Sequence, residues 1–530
     1  VRLFTTIAGL RCYLQIERFG QRQHWATATS APTAPSITTV GLVPTMGALH
    51  LGHLSLIDRA RLENDRVIVS IFVNPLQFGP NEDLQRYPRT LAQDQQLCEQ
   101  AGVDAIFAPE TSELYGTTNF VDRDLTQVIP PAMMIRGLCG RSRPGHFQGV
   151  ATVVTKLLNI VQPDRAYFGQ KDAQQLAILR CVVADLNLPV EIVPCPIVRE
   201  PSGLALSSRN QYLAPDQRSQ AAVIYRSLQQ AERVFQQGER QSNLLIGAVK
   251  QELATVPELQ PEYVELVHPT TMMPLERIEE TGLLAVAARL GSTRLIDNLV
   301  LRDRRPIVAI DGPAGAGKST VVRQVAQHLG LLHLDTGAMY RAVTWLVLQS
   351  GIAIDDEPAI AELVSRCDIQ LDGQQVLING QEVTQEIRSL EVTAQVSAIA
   401  AQPAVREALV QRQQQYGRRG GVVMEGRDIG TFVFPDAELK IFLTASVQER
   451  ARRRQQDLKD QGRSEVSLED LEWAILERDR KDSTRTIAPL RKAPDAIEIQ
   501  SDGLSIDAVI AEIKHLYRDR FGVEKDSEVS

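Results

Sequence analysis

Apolar residues in this chain cluster in short, nearly continuous runs, and between the runs they recur every three or four positions among polar neighbours. A continuous run of roughly four to eight is the pattern of a strand covered on both faces, and the longer period is that of a helix with one buried face. The segments TVGLVPT, DRVIVSIFVN and DAIFAPE in the first half, and PIVAID, GVVMEG and ELKIFLTA in the second, fit the strand pattern. Amphipathic stretches separate them, so both halves predict an α/β fold on a mostly parallel sheet. TIAGLRCYLQ predicts a leading helix, and the Ser/Thr/Ala/Pro-rich ATATSAPTAPSITT behind it predicts a flexible surface insertion. After PSGLALSSRNQYLAPDQR the pattern turns helical in AAVIYRSLQQAERVFQQ and then mixed, which suggests a small C-terminal subdomain over about 201–300 behind a larger part over about 1–200. The strand-like STRLIDNLV runs into the polar LRDRRP and then a fresh strand. Residues 301–306 are therefore expected to link two domains, 1–300 and 307–523, with 524–530 as a tail. No internal repeat recurs at a fixed period.

A chain of 530 residues exceeds the size at which one core stops growing, which agrees with two domains. With 43% hydrophobic and 23% charged residues it is globular, and a net charge of −8 gives no support for nucleic acid as a partner. Six cysteines with no CxxC pair argue against a disulfide framework and a structural zinc site, and fit a reducing compartment. No apolar run approaches the roughly 18 residues that span a bilayer, so no membrane partner is expected and the expected location is cytoplasmic. Arg2, Arg11, Arg18 and Arg22 in an acid-poor opening leave a transit peptide as the alternative reading of that segment.

Chemistry enters at VPTMGALHLGHLSLIDRA, Val43–Ala60, where His50 and His53 stand three apart at the start of a helix-like pattern. A helix N-terminus has unpaired amides and partial positive charge, so phosphate is its natural ligand, and two imidazoles there can donate Nε2 protons to phosphate oxygens. An HxGH pair by itself also serves as a cap or a core contact. Further along, Asn74, Gln77, Arg143, Lys171, Asp172 and Gln175 gather beside strand ends and turns, where open α/β sheets bind ligands. LALSSRN then adds Ser207, Ser208 and Arg209.

PTMGALHLGH, FVNPLQFGPNEDLQRYPRT, SRPGHFQGV, FGQKDAQQL and ALSSRN together resemble the pantothenate synthetase (pantoate–β-alanine ligase) family over about residues 5–300. This is a branch of the HIGH-motif nucleotidyltransferases, with a Rossmann-like domain. The resemblance implies that ATP and pantoate give pantoyl adenylate and pyrophosphate, after which β-alanine displaces AMP to form pantothenate. It implies catalytic roles for His50, His53 and Lys171, and ATP contacts from Met46, His53, Gly169, Lys171, Asp172, Ser207, Ser208 and Arg209. Gln77 and Gln175 are expected to hold pantoate, with Asn74 and Arg143 supporting them. Mg2+ is expected to bridge phosphate oxygens, with Asp94 a candidate ligand, and the family suggests a homodimer through the N-terminal domain. Pantoate's carboxylate is already an anion, so adenylation needs alignment and charge stabilisation rather than a base, with His50 and Lys171 expected as cations. GQRQHWATATSAPTAPSI departs from the family's pattern.

In the second half GPAGAGKS fits the P-loop pattern between a strand and a helix. Its amides would wrap phosphates, Lys318 would reach the β and γ oxygens, and Ser319 would ligate magnesium. A P-loop alone does not separate a kinase from a GTPase or a motor ATPase, although no NKxD guanine motif is present. Arginines in DTGAMYRA, EGRDIG, ERARRR and RDRKDSTRTIAPL suggest two phosphate-bearing substrates and a closing lid. These motifs resemble bacterial-type cytidylate kinase over about 307–523, a P-loop nucleoside monophosphate kinase fold, with 350–395 as its enlarged acceptor insert. The resemblance implies ATP contacts from Gly312, Gly315, Gly317, Lys318, Ser319, Thr320 and the lid arginines Arg450, Arg453 and Arg454, with Lys318 catalytic. For CMP or dCMP it implies Thr336, Tyr340, Arg341, Arg427 and Arg485 at the phosphate, Ser397, Arg406 and Asp428 at cytosine, and Arg478 and Asp482 at the ribose. A carboxylate such as Asp428 accepts from the cytosine amino group and opposes the uracil O4, which favours CMP over UMP. With all these positions intact in both halves, the combined reading is one chain with two enzymes rather than an enzyme with a sensing or scaffolding partner.

Overall fold

The computed structural model describes residues 1–23, 38–79, 82, 84–116, 125–372, 375–460, 466–484 and 489–521. The chain divides into two compact units, Val1–Asp303 and a second that begins at Arg304.

In the first unit six strands form one parallel sheet: β1 (Arg2–Phe4), β2 (Val40–Thr45), β3 (Arg66–Ile71), β4 (Ala105–Phe107), β5 (Arg165–Gly169) and β6 (Glu191–Cys195). Their order is β1-β4-β3-β2-β5-β6, so the winding reverses at β2, between β3 and β5. A crevice opens at such a switch point beyond the carboxyl ends of the strands. Residues 46–53, 72–78 and 170–175 leave those ends, which is why segments far apart in sequence meet there. Leu42, Ile68 and Phe107 are fully enclosed between the helical layers, the reason these strands read as unbroken apolar runs. β1 was not legible as a strand, since three edge residues carry no period, and the leading helix runs longer than expected, Ile7–Gln23.

The subdomain is an antiparallel meander of β7 (Leu259–Val267), β8 (Thr281–Leu290) and β9 (Thr293–Arg302). A two-residue turn joins the last pair, with Gly291 in the left-handed conformation that such hairpins favour. β8 is buried on both faces: Leu284, Val286, Ala288 and Leu290 pack with the subdomain helices, and Leu283, Ala285 and Ala287 pack with Phe147, Ala177 and Ile178 of the larger part. Alternation along one strand thus fixes the subdomain over the end of the crevice.

The second unit carries β10 (Arg305–Asp311), β11 (Leu332–Asp335), an antiparallel insert of β12 (Ile369–Asp372), β13 (Gln375–Ile378) and β14 (Gln381–Glu382), then β15 (Gly420–Gly426), β16 (Leu439–Thr444) and β17 (Ile497–Gln500). The main sheet is parallel, ordered β11-β15-β10-β16-β17, and the glycine-rich loop leaves its central strand.

The expected linker 301–306 needs correction. Leu301 and Arg302 finish β9, paired with Gly282 and Thr281, and Arg305 opens β10, paired with Gly420. The polar composition reflects ion pairs at strand ends: Asp303 holds Arg240, and Arg304 holds Asp436 and Glu438. The segment 24–37, which contains most of the expected insertion, and the expected tail 524–530 lie outside the described residues. No helix among the described residues is long and apolar enough to cross a membrane.

Candidate active sites

His50 caps the helix Leu51–Glu63. Its Nδ1 accepts from the Gly52 amide at 3.1 Å, and His53 Nδ1 accepts from the His50 amide at 3.3 Å. A ring nitrogen that accepts carries no proton, so both neutral imidazoles hold theirs on Nε2. Burial, reinforced by Lys171, lowers the His50 pKa to about 4, and burial with His50 and Lys171 lowers that of His53 to about 3. The expectation of a cationic His50 is therefore corrected: both rings are neutral donors at pH 7. Gly52 has no side chain because a Cβ would lie 2.9 Å from the His50 ring.

Asp94 holds this turn from below. Its Oδ1 accepts from Leu49 N at 2.8 Å, and its Oδ2 accepts from Ala48 N at 3.0 Å and Thr90 Oγ1 at 3.2 Å. With both oxygens engaged and only 1% of the residue exposed, Asp94 does not fit a magnesium ligand. Its carboxylate instead accepts the amides of a loop that is left-handed at Gly47 and Ala48.

Beyond β3, Asn74 and Gln77 lie on a short turn. Asn74 Nδ2 donates to Gln77 Oε1 and to Gly149 O, both at 3.1 Å, and Tyr115 donates to Asn74 Oδ1 at 2.8 Å. Gln77 Nε2 donates to the Met46 sulfur at 3.0 Å. Gly149 is required here: a Cβ would meet the Leu76 carbonyl oxygen at 2.4 Å. Arg143 makes a two-point pair with Glu82, 2.6 Å on each arm, and also donates to Gln77 O at 3.3 Å. Its guanidinium braces the turn at the cavity wall, a place that suits the supporting contact expected of it. His146 Nδ1 meets the same carbonyl at 2.8 Å, and burial lowers its pKa to about 4.

Lys171, Asp172 and Gln175 follow Gly169 at the end of β5, and Ser207, Ser208 and Arg209 end the hairpin after β6. They share with His50, His53, Met46, Asn74 and Gln77 the lining of one cavity of 240 Å³. Ser208 Oγ lies 3.3 Å from the Tyr87 hydroxyl.

In the second unit Gly312 has φ +152°, and a Cβ there would meet Leu443 O at 2.0 Å, so only glycine lets the P-loop cross β16. Lys318 turns back on the loop, donating to Gly312 O at 2.6 Å and Pro313 O at 2.7 Å, and burial with Arg427 nearby lowers its pKa. Ser319 Oγ donates to Glu425 Oε2 at 2.7 Å. These are hard oxygens at the head of the loop, a donor set that suits magnesium once phosphate and water complete it. Among the described residues no group of three His, Cys, Asp or Glu is arranged to hold a metal ion by itself.

A cleft of 1150 Å³ runs from Gly315, Gly317 and Thr320 past Thr336, Tyr340 and Arg341 to Ser397. A single small-molecule site spans roughly 300–1,000 Å³, so the cleft has room for donor and acceptor together. Arg406 and Asp428 form a buried ion pair in it, and Arg406 Nε is a buried donor with no hydrogen-bond partner among the described residues. Arg427 Nε pairs with Asp482 at 3.0 Å. Burial lowers the pKa of Arg478, and Arg427, Arg341 and Arg454 lower it further, the signature of cations gathered for an anion. Thr336 donates to Glu425 O at 2.7 Å.

Residues 16–300 match the family model for pantoate-β-alanine ligase and 308–519 that for cytidylate kinase. A Trichormus variabilis protein named "Bifunctional pantoate ligase/cytidylate kinase" is 66% identical over 98% of this chain and 99% of its own. The chain belongs to the bifunctional pantoate ligase/cytidylate kinase family. A Synechocystis sp. protein of the same name is 55% identical, again over 98% of this chain and 99% of its own. The crystal structure of pantothenate synthetase from Thermus thermophilus is 45% identical with a TM-score of 0.50, and covers 56% of this chain and 99% of that one.

In the kinase half the lid arginines divide. Arg450 is only 4% exposed, and donates to Ala445 O at 3.0 Å, to the P-loop carbonyl of Ala314 at 3.1 Å and, through two nitrogens, to Asp479. It ties the helices Val447–Asp460 and Leu468–Thr484 to the loop, a correction to its expected place on ATP. Arg453 reaches Ser501 O at 2.8 Å, and Arg454 lines the cleft. Arg485 lies outside the described residues. Sequence reasoning missed His146, Glu82, Asp335, which lines the kinase cleft, and Glu425. The signal for the last two was present, since both stand at the carboxyl ends of the strands flanking the P-loop side of the sheet.

Proposed function

We propose that the ligase half activates pantoate as pantoyl adenylate at the crevice beyond β2, β3 and β5, and passes the acyl group to β-alanine. The pantoate carboxylate attacks the α-phosphorus and pyrophosphate departs; the β-alanine amine then attacks the acyl carbon, and AMP leaves with the electron pair. His50 and His53 supply neutral Nε2–H donors to phosphate oxygens, and Lys171 supplies the positive charge. Ser207, Ser208 and Arg209 close on the departing phosphates, with Met46, Gly169 and Asp172 against the nucleotide. Gln77 and Gln175 orient pantoate on a turn held by Asn74, Arg143 and His146. The observation that carries this reading is the pair of imidazoles whose Nδ1 atoms are both occupied by amides of one helix start.

In the kinase half the γ-phosphoryl of ATP passes to the phosphate of CMP or dCMP, an anionic nucleophile that needs no base. Lys318 exchanges its loop carbonyls for phosphate oxygens, Thr336, Tyr340, Arg341, Arg427 and Arg485 hold the acceptor phosphate, and Arg478 holds the ribose. Arg406, Asp428 and Ser397 read the base, and Asp482 turns from Arg427 to the ribose. Ser319 and Glu425 are the protein oxygens that would hold magnesium bound with ATP, which would supply positive charge to the phosphates. A homodimer through the ligase half and a cytoplasmic location complete the reading; six free cysteines are in keeping with a reducing compartment.

Two assays on the full chain test it. Lys171→Ala should lower pyrophosphate release from ATP and pantoate by about 10²- to 10³-fold and leave CMP phosphorylation intact, and Lys318→Ala should do the reverse. Loss of both activities in either variant, or of neither, contradicts the assignment.

A further inference from the structure

The subdomain strand β9 reaches both phosphate-facing loops of the ligase half through two adjacent residues. Asn298 Nδ2 donates to Gln170 O at 3.0 Å and to Lys171 O at 2.9 Å, so both of its protons go to the turn that carries Lys171. Asp297 takes Arg199 in a two-point pair, at 2.5 Å and 3.0 Å. Arg199 in turn spans the hairpin that ends in Ser207, Ser208 and Arg209: it bridges to Ala205, donates to Gly203 O at 3.1 Å and lies 3.6 Å from the Tyr225 ring centroid. Asp297 and Asn298 are buried, at 4% and 6% exposure, and Asp297 Oδ1 also accepts from the Asn298 amide at 2.8 Å.

We infer that Asp297 and Asn298 are positioning residues of the ligase, a two-residue clamp by which the subdomain sets the Lys171 turn and the Ser207–Arg209 loop in register with each other. The physical case is that β5 and β6 are paired only as far as Gly169 and Cys195, and the Ser207–Arg209 loop lies well beyond that last pair, where Asp297 and Asn298 supply ties to both segments. A displacement of about 1 Å in a group that meets developing charge costs on the order of 10²-fold. Buried donors on one strand remove that freedom, because a backbone carbonyl that has lost its partner in a dry site is penalised in every displaced position.

The inference rests on the assignment of Lys171 to ATP. It is tested in the full-length chain with Asn298→Asp, which keeps the shape and removes both donors, and with Asn298→Ala as a second variant, each made alone and with Lys171→Ala. Pyrophosphate release from ATP and pantoate gives kcat and KM, and CMP phosphorylation by the same chain normalises the amount of enzyme. The expected result is a loss in kcat of about 10- to 100-fold in the single Asn298 variants, and less than about twofold further loss once Lys171 is gone, since the clamp acts through that side chain. An unchanged kcat, or the same loss in both backgrounds, overturns the clamp and leaves the Lys171 assignment standing. A Lys171→Ala enzyme with normal adenylation overturns that assignment and the clamp with it.

Discussion

The imidazoles of His50 and His53 stand 4.1 Å apart between ring centres, and both stay neutral at a helix start built to attract anions. Their pKa values, about 4 and about 3, and that of His146, about 4, all lie below the roughly 6.5 of an unfolded histidine. The unfolded chain therefore binds more protons than the folded one between those limits, so the stabilisation is complete above about pH 6.5 and is lost as pH falls toward 4. The ligase half should show a falling unfolding temperature from pH 7.5 to 5.5, a range above most carboxylate titration. His146→Asn should flatten the slope; an equal slope in the variant would move its cause elsewhere.

Gly149→Ala should act on pantoate rather than ATP. The added Cβ meets Leu76 O at 2.4 Å and Gln77 N at 2.7 Å, so the turn bearing Gln77 must shift. Overpacking of this kind costs about 1–3 kcal/mol in stability. The pantoate KM should rise about tenfold or more, while the ATP KM and CMP phosphorylation change little. Steady-state kinetics with each substrate varied in turn decide it.

Asp428→Asn should lower kcat/KM for CMP more than for UMP. Arg406 is a buried partner of Asp428, so the carboxylate fixes that guanidinium, and in the proposed site it would also offer an acceptor to the cytosine amine. An amide can present a donor to uracil O4, and it no longer neutralises the arginine. The CMP/UMP ratio should fall by about an order of magnitude or more. An unchanged ratio would assign the base to other residues and leave Asp428 as the support of Arg406.

The strands that carry the sites were legible because a parallel strand covered on both faces has no choice but continuous apolar residues, as in TVGLVPT and PIVAID. The glycine of the histidine motif has a local cause, since Gly52 is dictated by the approach of the His50 ring two residues before it, whereas Gly312 is dictated by Leu443 O on a distant strand. Partnerships across the chain were not legible. Asp94 and Arg450 were expected as ligands alongside the family resemblances, and only the fold shows them already engaged with Leu49 N and Ala314 O. Asp297 and Asn298 sat in a stretch read simply as a strand, although two polar residues inside it broke the apolar run. LRDRRP read as a linker because arginines at strand ends look like solvent-exposed polar chain until their acidic partners are known.

Separation of the two halves follows from that last point. Arg302 of β9 pairs with Thr281 and Arg305 of β10 with Gly420, so a cut at either would remove a strand end, whereas the Asp303–Arg304 peptide joins two residues anchored in their own units. Asp303 donates its amide to Glu280 O at 2.7 Å and pairs with Arg240, and Arg304 pairs with Glu438 at 2.8 Å. Each unit also has its own sheet and enclosed cores, the condition for folding alone. Expressed as 1–303 and 304–530, the halves should each fold, with kcat and KM within about twofold of the intact chain, because neither chemistry uses a group from the other unit. Ligase rates measured with and without CMP provide the control. If separation abolishes either activity, or if CMP changes the ligase rate in the intact chain and not in the mixture of halves, the two active sites are coupled and the independent-unit account is wrong.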